Sequence, residues 1–302
     1  MGDAVLRLGV SGCLLGQEVR WNAGHKRDRY LTDTLGPRTE WVPLCPEADV
    51  GMGVPRPTVR LEGPKDDLRM VAPKTGEDWT ERMVAWCRDA VAALPEIDGF
   101  LLKKGSPSCG PLAKRYDPNP TLDQPGLFAA ELLRQRPWLA VLDEGRLHAD
   151  PLRWGFLDHA FWVRRWREAD VAPGVSLMTF HRDHKLTYRS HDPAGARELG
   201  RLAADGDVAA YRDRAAEVMR QVPTVGRHVD TLQHAAGYLK RDVDGADRQE
   251  LAEAIDDYRL GVMPLLVPLT LLRHHVRRAP VPDWLAGQTY LQPYPKEWTL
   301  RG

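Results

Sequence analysis

Short apolar runs alternate with turns and with longer amphipathic stretches in the first half of the chain. Four of these runs have the length and pattern of buried strands, and they read LRLGVSG (6–12), WVPLC (41–45), DGFLLKKG (98–105) and WLAVLDEG (138–145). Between them, the segments 79–95 and 126–137 carry apolar residues at helical spacing, and each ends in proline. Because strands separated by helices form parallel sheets with helices on their faces, we predict an α/β fold of the Rossmann-like, three-layer kind.

A nearly continuous helical pattern replaces this alternation in the second half. An aromatic-rich connecting helix is predicted over 150–168, and the turn residues of 170–176 indicate a boundary. Beyond the boundary the periodicity predicts six helices, at about 176–190, 193–205, 207–221, 224–241, 246–261 and 264–277. Pro193, Pro223 and Pro264 stand where first-turn prolines are expected. We therefore predict a catalytic α/β domain over 1–168 and an all-helical domain over 169–302.

The composition is that of an ordinary folded protein, since the 302 residues are 43% apolar and 28% charged. The opening MGDAVLRLGVSG lacks the basic and long apolar regions of a secretory signal. The longest apolar run, 262–272, contains two prolines and is far shorter than the roughly 20 residues of a membrane span. We therefore expect a cytoplasmic protein. Its 42 basic residues balance its 42 acidic ones, so any polyanion has to be bound by a local patch.

Three of the four cysteines share a position that the fourth lacks. Cys13, Cys45 and Cys109 each come at or just after the end of a predicted strand, where open α/β sheets gather their ligand sites. Cys87 lies inside a predicted amphipathic helix and is expected to be a small apolar core residue. A large cytoplasmic domain has no need of disulfides, so all four are expected to be free thiols.

Three thiolates from separate loops suggest a metal ion or an iron–sulfur cluster, because clusters are held mainly by cysteine. Two other interpretations stay open on the residues alone. The three cysteines could be unrelated, one of them nucleophilic and two packed, since no local CxxC spacing joins them. A structural zinc site is the second, although zinc normally takes a fourth ligand.

The motifs around these cysteines resemble a known family. VSGCLLG with VRWNAGHKR, then LCPEADVGMGVPRPTVRLEG, then GSPSCG look like the thiouracil desulfidase family over roughly the first 150 residues. The resemblance implies a [4Fe-4S] cluster held by Cys13, Cys45 and Cys109, with one open iron. TFHRDHKLTYRSHDP and ELGRLAA in the second half resemble the helical domain fused behind such domains. Fused proteins of this kind act on 4-thiouridine in tRNA, so the resemblance implies tRNA as the partner.

The chemistry implied by this resemblance is hydrolytic, with C=S converted to C=O and sulfide released. The open iron binds the substrate sulfur, and water attacks the carbon. Glu47, two residues after Cys45, is the expected general acid and base, unless it only caps the chain or pairs with a basic residue. Ser106 and Ser108 are expected to orient the water or the base, although serines in such loops often bond to the backbone instead.

Basic residues supply the remaining candidates. Arg56 and Arg60 in GVPRPTVRL, with His25 and Lys26 in AGHK, are expected to bind substrate oxygens, and a solvated or ion-paired role is the alternative for each. The family commonly has aspartate and glycine before GHK where this chain has Asn22 and Ala23, which puts a charge role there in doubt. A basic surface for tRNA phosphates is predicted to comprise His181, Arg182, Lys185 and Arg189, helped by 164–167 and 273–278. An ordinary solvated helix face is the alternative.

The sequence thus favours a desulfidase for 4-thiouridine in tRNA. Free thiouracil or a thionucleoside is the alternative substrate. A non-catalytic iron–sulfur redox sensor or RNA-binding regulator is the alternative of another class, but a sensor has no need of Glu47 and the serine loop.

Overall fold

A computed structural model describes residues 5–240 and 242–298 of the chain. Within these residues it has nine strands, which are β1 Leu6–Ser11, β2 Thr39–Leu44, β3 Arg60–Glu62, β4 Arg69–Ala72, β5 Glu77–Asp78, β6 Gly99–Leu102, β7 Ala113–Asp117, β8 Asn119–Gln124 and β9 Ala140–Asp143. The α-helices are α1 Thr80–Ala93, α2 Leu127–Gln135, α3 Glu144–Leu147, α4 Asp150–Glu168, α5 Val175–His191, α6 Pro193–Asp205, α7 Val208–Arg220, α8 Val225–Ala236, α9 Gly245–Arg259, α10 Leu266–Arg278 and α11 Asp283–Ala286.

Two compact units make up the described chain. The sheet unit extends to Phe156 and includes Trp298, and the helical unit is Leu157–Glu297, so the division falls within α4. None of the helices in the described ranges has the length and apolar composition that a membrane span requires.

The central sheet of the sheet unit has the order β2-β1-β6-β9, with every pair parallel. This confirms the predicted α/β fold, and its strands are the four apolar runs. The sheet is buried by helices, which is why β6 is apolar throughout and fully buried. Gly9 lies so close to β6 that a Cβ atom there would be 2.3 Å from the Phe100 ring. The ring of Phe100 meets Phe128 of α2 edge-on, with 5.5 Å between centroids.

A second sheet, of order β5-β4-β3-β7-β8, was not predicted. Its strands are short and mostly polar, and β8 has no buried residue. They pair antiparallel except for β3 with β7. Only a few apolar side chains, such as Leu61 and Met70, are buried from it, so the alternation in the sequence is too weak to indicate strands.

Four helices of the helical unit begin at a short capping side chain. Asp192, Asp207, Thr224 and Asp244 each accept a hydrogen bond from a first-turn amide of the helix that follows. The six predicted helices are α5 to α10, with ends shifted by a few residues.

Two details of the helix prediction are wrong. Pro193 is the first residue of α6, as expected, but Pro223 precedes the capping Thr224, and Pro264 precedes α10. The helix predicted to end at residue 241 ends at Ala236 and continues as a single 3₁₀ turn, Gly237–Leu239, while residue 241 itself lies outside the described residues.

Candidate active site

Three cysteines lie at one edge of the central sheet, where its strands end. Cys13 is in the 3₁₀ turn Gly12–Leu15 after β1, Cys45 directly follows β2, and Cys109 is in the loop after β6. Parallel strands present their carboxyl ends at the same edge, so loops distant in sequence meet there. All three cysteines line one cavity of about 240 Å³.

The three thiols of the cavity influence one another electrostatically. Burial raises the pKa of the Cys13 thiol to about 12, and the charges of Cys109 and Cys45 add to the effect. Burial also raises the pKa of the Cys45 and Cys109 thiols. The charge of Cys109 raises the pKa of Cys45 further. Three ionised thiols would therefore repel one another in this cavity. Cations bound between them would relieve the repulsion, because thiolate is the form of cysteine that ligates metals.

The donor set of this cavity fits an iron–sulfur cluster, because such clusters are held mainly by cysteine thiolates. In the described ranges, no group of three or more His, Cys, Asp or Glu side chains is arranged to hold one metal ion. A four-iron cluster would not require that geometry, because each cysteine would bind a different iron. The cavity of about 240 Å³ is also far larger than the roughly 30 Å³ that one water molecule occupies in the liquid.

The loop of Cys109 is fixed by the start of α2. The amides of Leu127 and Phe128 donate to the carbonyls of Pro107 and Ser108, at 3.2 and 2.8 Å. Gly126 lies so close that a Cβ atom there would be 2.5 Å from the Ser108 carbonyl oxygen. A loop of glycine, serine and proline is thereby given one conformation, with Cys109 in its middle.

Glu47 is held in the cavity from both of its oxygens. Arg56 donates to Oε2 from Nε at 3.0 Å and from Nη2 at 2.9 Å, and Ser108 Oγ donates to Oε1 at 2.7 Å. The guanidinium of Arg56 also donates to the carbonyls of Gly53 and Val19, both at 2.9 Å. Arg56 is thus committed to the protein, and its main effect is to fix one carboxylate oxygen.

A directed hydrogen-bond chain links the serine loop to Glu47. Ser106 Oγ accepts from the amides of Ser108 and Cys109 at 3.3 and 3.2 Å, so both its lone pairs are engaged. Its own proton is therefore free for Ser108 Oγ, 2.9 Å away. Ser108 in turn donates to Glu47. The chain runs from Ser106 through Ser108 to the carboxylate.

Other residues predicted to bind substrate lie outside the lining. His25, Lys26 and Arg60 are exposed and are not among the described residues that form the cavity wall. His25 accepts the amide of Arg27 through Nδ1 at 3.2 Å. Arg60 pairs with Glu62 at 2.6 Å and lies over the ring of Tyr116.

Several residues that line the cavity were not predicted as site residues, and the charged and aromatic ones among them are Arg20, Trp21, Lys103 and Lys104. Their positions in the sequence could have indicated them, because Arg20 and Trp21 belong to the motif VRW and the two lysines directly precede GSPSCG. Glu144, the first residue of α3, pairs with the ammonium of Lys103 and accepts the Lys104 amide at 2.6 Å. The side chains of Arg20 and Lys104 form no ion pair within the described residues.

The predicted basic surface of the helical unit is only partly cationic. His181 is buried, and burial lowers its pKa to about 4, so it is neutral at physiological pH. Arg182 pairs with Asp183, and Arg189 pairs with Asp230. Lys185 is exposed and lies 5.7 Å from the ring centroid of Trp284.

Comparisons with known proteins fall on both parts of the chain. A family model described as 2-thiouracil desulfurase matches residues 8–144, and one described as a protein of unknown function (DUF1722) matches residues 185–295. The uncharacterized protein YbgA of Escherichia coli (strain K12) is 32% identical over an alignment of 148 residues, and the match covers 46% of this chain and 86% of YbgA. The solved structure of the [4Fe-4S]-dependent thiouracil desulfidase TudS is 31% identical, with a TM-score of 0.37, over 47% of this chain and 93% of that one. All three cavity cysteines lie inside the first matched segment.

Proposed function

The chain belongs to the 2-thiouracil desulfurase family, and from this we propose that it is an iron–sulfur enzyme that replaces the sulfur of a thiolated uracil with oxygen. The reaction is hydrolytic: C=S and water give C=O and hydrogen sulfide, with no electron donor. One observation carries the proposal, namely that three thiols and the carboxylate of Glu47 line the same cavity.

In this proposal Cys13, Cys45 and Cys109 hold a [4Fe-4S] cluster that leaves one iron without a protein ligand. The bound cluster supplies a thiophilic Lewis acid that polarises the C=S bond. The three thiols give up their protons when they ligate, which offsets the repulsion described above. Cys87, buried on α1, takes no part.

Glu47 is the residue that moves protons. It takes a proton from the attacking water and returns it to the departing sulfur, and a second water proton leaves with the sulfide. Because Arg56 holds Oε2, the oxygen that exchanges protons is Oε1. Ser108 and Ser106 extend the reach of that oxygen along the loop of Cys109. Such acid–base help contributes about 10²- to 10⁴-fold to a rate.

The substrate we propose is 4-thiouridine in tRNA. Arg20 and Lys104 supply cations at the cavity without carboxylate partners among the described residues, which suits phosphate groups. Trp21, 45% exposed at the same cavity, offers a flat apolar face for an extruded base. On the helical unit, Arg182, Lys185 and Arg189 are the proposed further phosphate contacts, and buried His181 is left out.

The first experiment tests the cofactor. The protein is purified without oxygen, and iron, sulfide and visible absorption are measured for the wild type and for serine variants of each cysteine. C13S, C45S and C109S are expected to lose the cluster, and C87S to retain it. A colourless, iron-free wild type that remains active would reject the cluster.

The second experiment tests the substrate. The loaded enzyme is given tRNA containing 4-thiouridine, 4-thiouridine nucleoside and free thiouracil, and the loss of thio-base absorbance and the release of sulfide are followed. Turnover is expected on tRNA. Turnover on the free base or nucleoside alone would replace the tRNA assignment, and an intact cluster without turnover on any of them would favour a sensor or regulator. E47Q is expected to keep its cluster and lose turnover.

A further inference from the structure

Ser11 lies at the end of β1, at a position where serine usually caps the following turn. It precedes the 3₁₀ turn that contains Cys13, yet its side chain makes no capping hydrogen bond to that turn. The side chain is instead buried, with 3% of the residue exposed. A buried hydroxyl that forms no hydrogen bond with the amides of the following turn needs other partners.

Those partners belong to the next strand and to the cysteine loop. Ser11 Oγ accepts the amide of Lys103, just after β6, at 2.9 Å. An amide can only donate, so the hydroxyl proton is free for Cys109 Sγ, 3.3 Å away. Ser11 thus joins the ends of two adjacent parallel strands and directs its single proton at a sulfur.

We propose that Ser11 is a positioning residue for the cluster, a role that rests on the proposed function. It lies two residues before Cys13 in sequence and is hydrogen-bonded to Cys109, so it fixes the separation of two of the three ligands. When Cys109 ligates as thiolate, the hydroxyl gives it a charge-assisted hydrogen bond. Hydrogen bonds to ligand sulfurs help set cluster potentials, because they stabilise the more negative, reduced state.

The test compares S11A with the wild type in the intact protein, loaded anaerobically. S11A is expected to lose its cluster to air about 10-fold faster, in line with changes to groups that orient metal ligands. Its reduction potential is expected to shift to a more negative value. S11T keeps the hydroxyl and is expected to retain the wild-type potential.

Ser190 provides a matched control, because it is a buried serine of the helical unit whose hydroxyl donates to the Thr187 carbonyl at 2.8 Å. S190A is expected to match the wild type in potential and in air stability. S11G is a second hydroxyl-free variant, to be read in the same way if S11A does not fold. An S11A cluster with unchanged potential overturns the inference, even if it is lost faster, because packing alone would explain that loss.

The proposed function and this inference fail differently. A wild-type protein that takes up no cluster rejects the function and the inference together. A wild-type cluster with normal turnover, and an S11A cluster indistinguishable from it, rejects the role of Ser11 alone.

Discussion

Arg56 and Glu47 form a buried ion pair in which two N–H groups of the arginine converge on a single carboxylate oxygen. The donor distances to Oε2 are 3.0 and 2.9 Å, and the side chains are 2% and 15% exposed. The pair leaves the other oxygen, Oε1, to Ser108. In the proposed reaction, the arginine therefore determines which oxygen of the carboxylate exchanges protons.

Replacement of Arg56 by methionine is expected to lower the free energy of unfolding by about 3 kcal/mol, because it leaves Glu47 without a partner for its charge. Denaturant unfolding measures this loss, and the dependence of the unfolding free energy on denaturant concentration is compared between the variant and the wild type. The control is R69M, whose partner Asp78 lies at the surface, and its loss is expected to stay within about 1 kcal/mol. Equal losses in the two variants would show that the Arg56 pair is no stronger than a surface pair.

The two serines of the cysteine loop are expected to differ. S108A removes the hydroxyl between Ser106 and Glu47, so turnover should fall by about 10²-fold while the visible absorption of the cluster stays. S106A also removes the acceptor for the amides of Ser108 and Cys109, so its cluster should be lost faster on exposure to air. The rates of turnover and of bleaching are measured side by side. Retained turnover in S108A would contradict the proposed hydrogen-bond chain.

A methyl group at residue 126 is expected to disturb the cysteine loop through its contact with the start of α2. In G126A the new Cβ would meet the backbone of Ser108 and Pro107 at 2.5 to 2.8 Å, so either α2 or the cysteine loop has to move. We expect a loss of about 1–3 kcal/mol in unfolding free energy and a weaker cluster.

The matched variant is G226A in α8, where nothing lies within 4 Å of the added Cβ. It is expected to gain up to about 1 kcal/mol, since alanine favours helix over glycine. Thermal unfolding and cluster content are measured for both variants to test these two expectations. A G126A protein as stable and as fully loaded as the wild type would contradict the close approach.

Acid is expected to destabilise the helical unit through two histidines, of which His184 is buried and His228 half-buried. Burial lowers the pKa of His184 and of His228 to about 3, whereas an unfolded histidine has a pKa near 6.5. Between these values the unfolded chain binds more protons, so the free energy of unfolding falls as the pH drops through this range. From pH 7 to 5 each histidine should cost about 2 kcal/mol.

Glutamine variants check this pH dependence. H184Q and H228Q are expected to flatten the plot of unfolding free energy against pH, whereas H274Q, at an exposed position, should leave its slope unchanged. Parallel plots for all three variants and the wild type would contradict the assignment.

The four strands of the central sheet were predictable, because each contains a short apolar run bounded by turn residues. That run is almost wholly buried in β1, β6 and β9, whereas β2 has no fully buried residue. The helices of the second half were predictable for a similar reason, since each keeps one apolar face. The second sheet was not, because strands such as β8 bury almost nothing and are held by pairing with neighbours. The burial of His181 was not predictable either, because the sequence of a polar segment does not show whether a histidine in it is packed or solvated.

The sequence by itself determined the α/β and helical parts and placed three cysteines at strand ends, because strand ends are local features. The glutamate and the two serines became candidates through the resemblance of their motifs to a known family. Only the tertiary structure decided which of these meet. It joined Ser11 to the sulfur of Cys109, paired Arg56 with Glu47, and left His25, Lys26 and Arg60 outside the cavity wall. Those outcomes depend on contacts between segments tens of residues apart, and no local pattern of residues encodes such contacts.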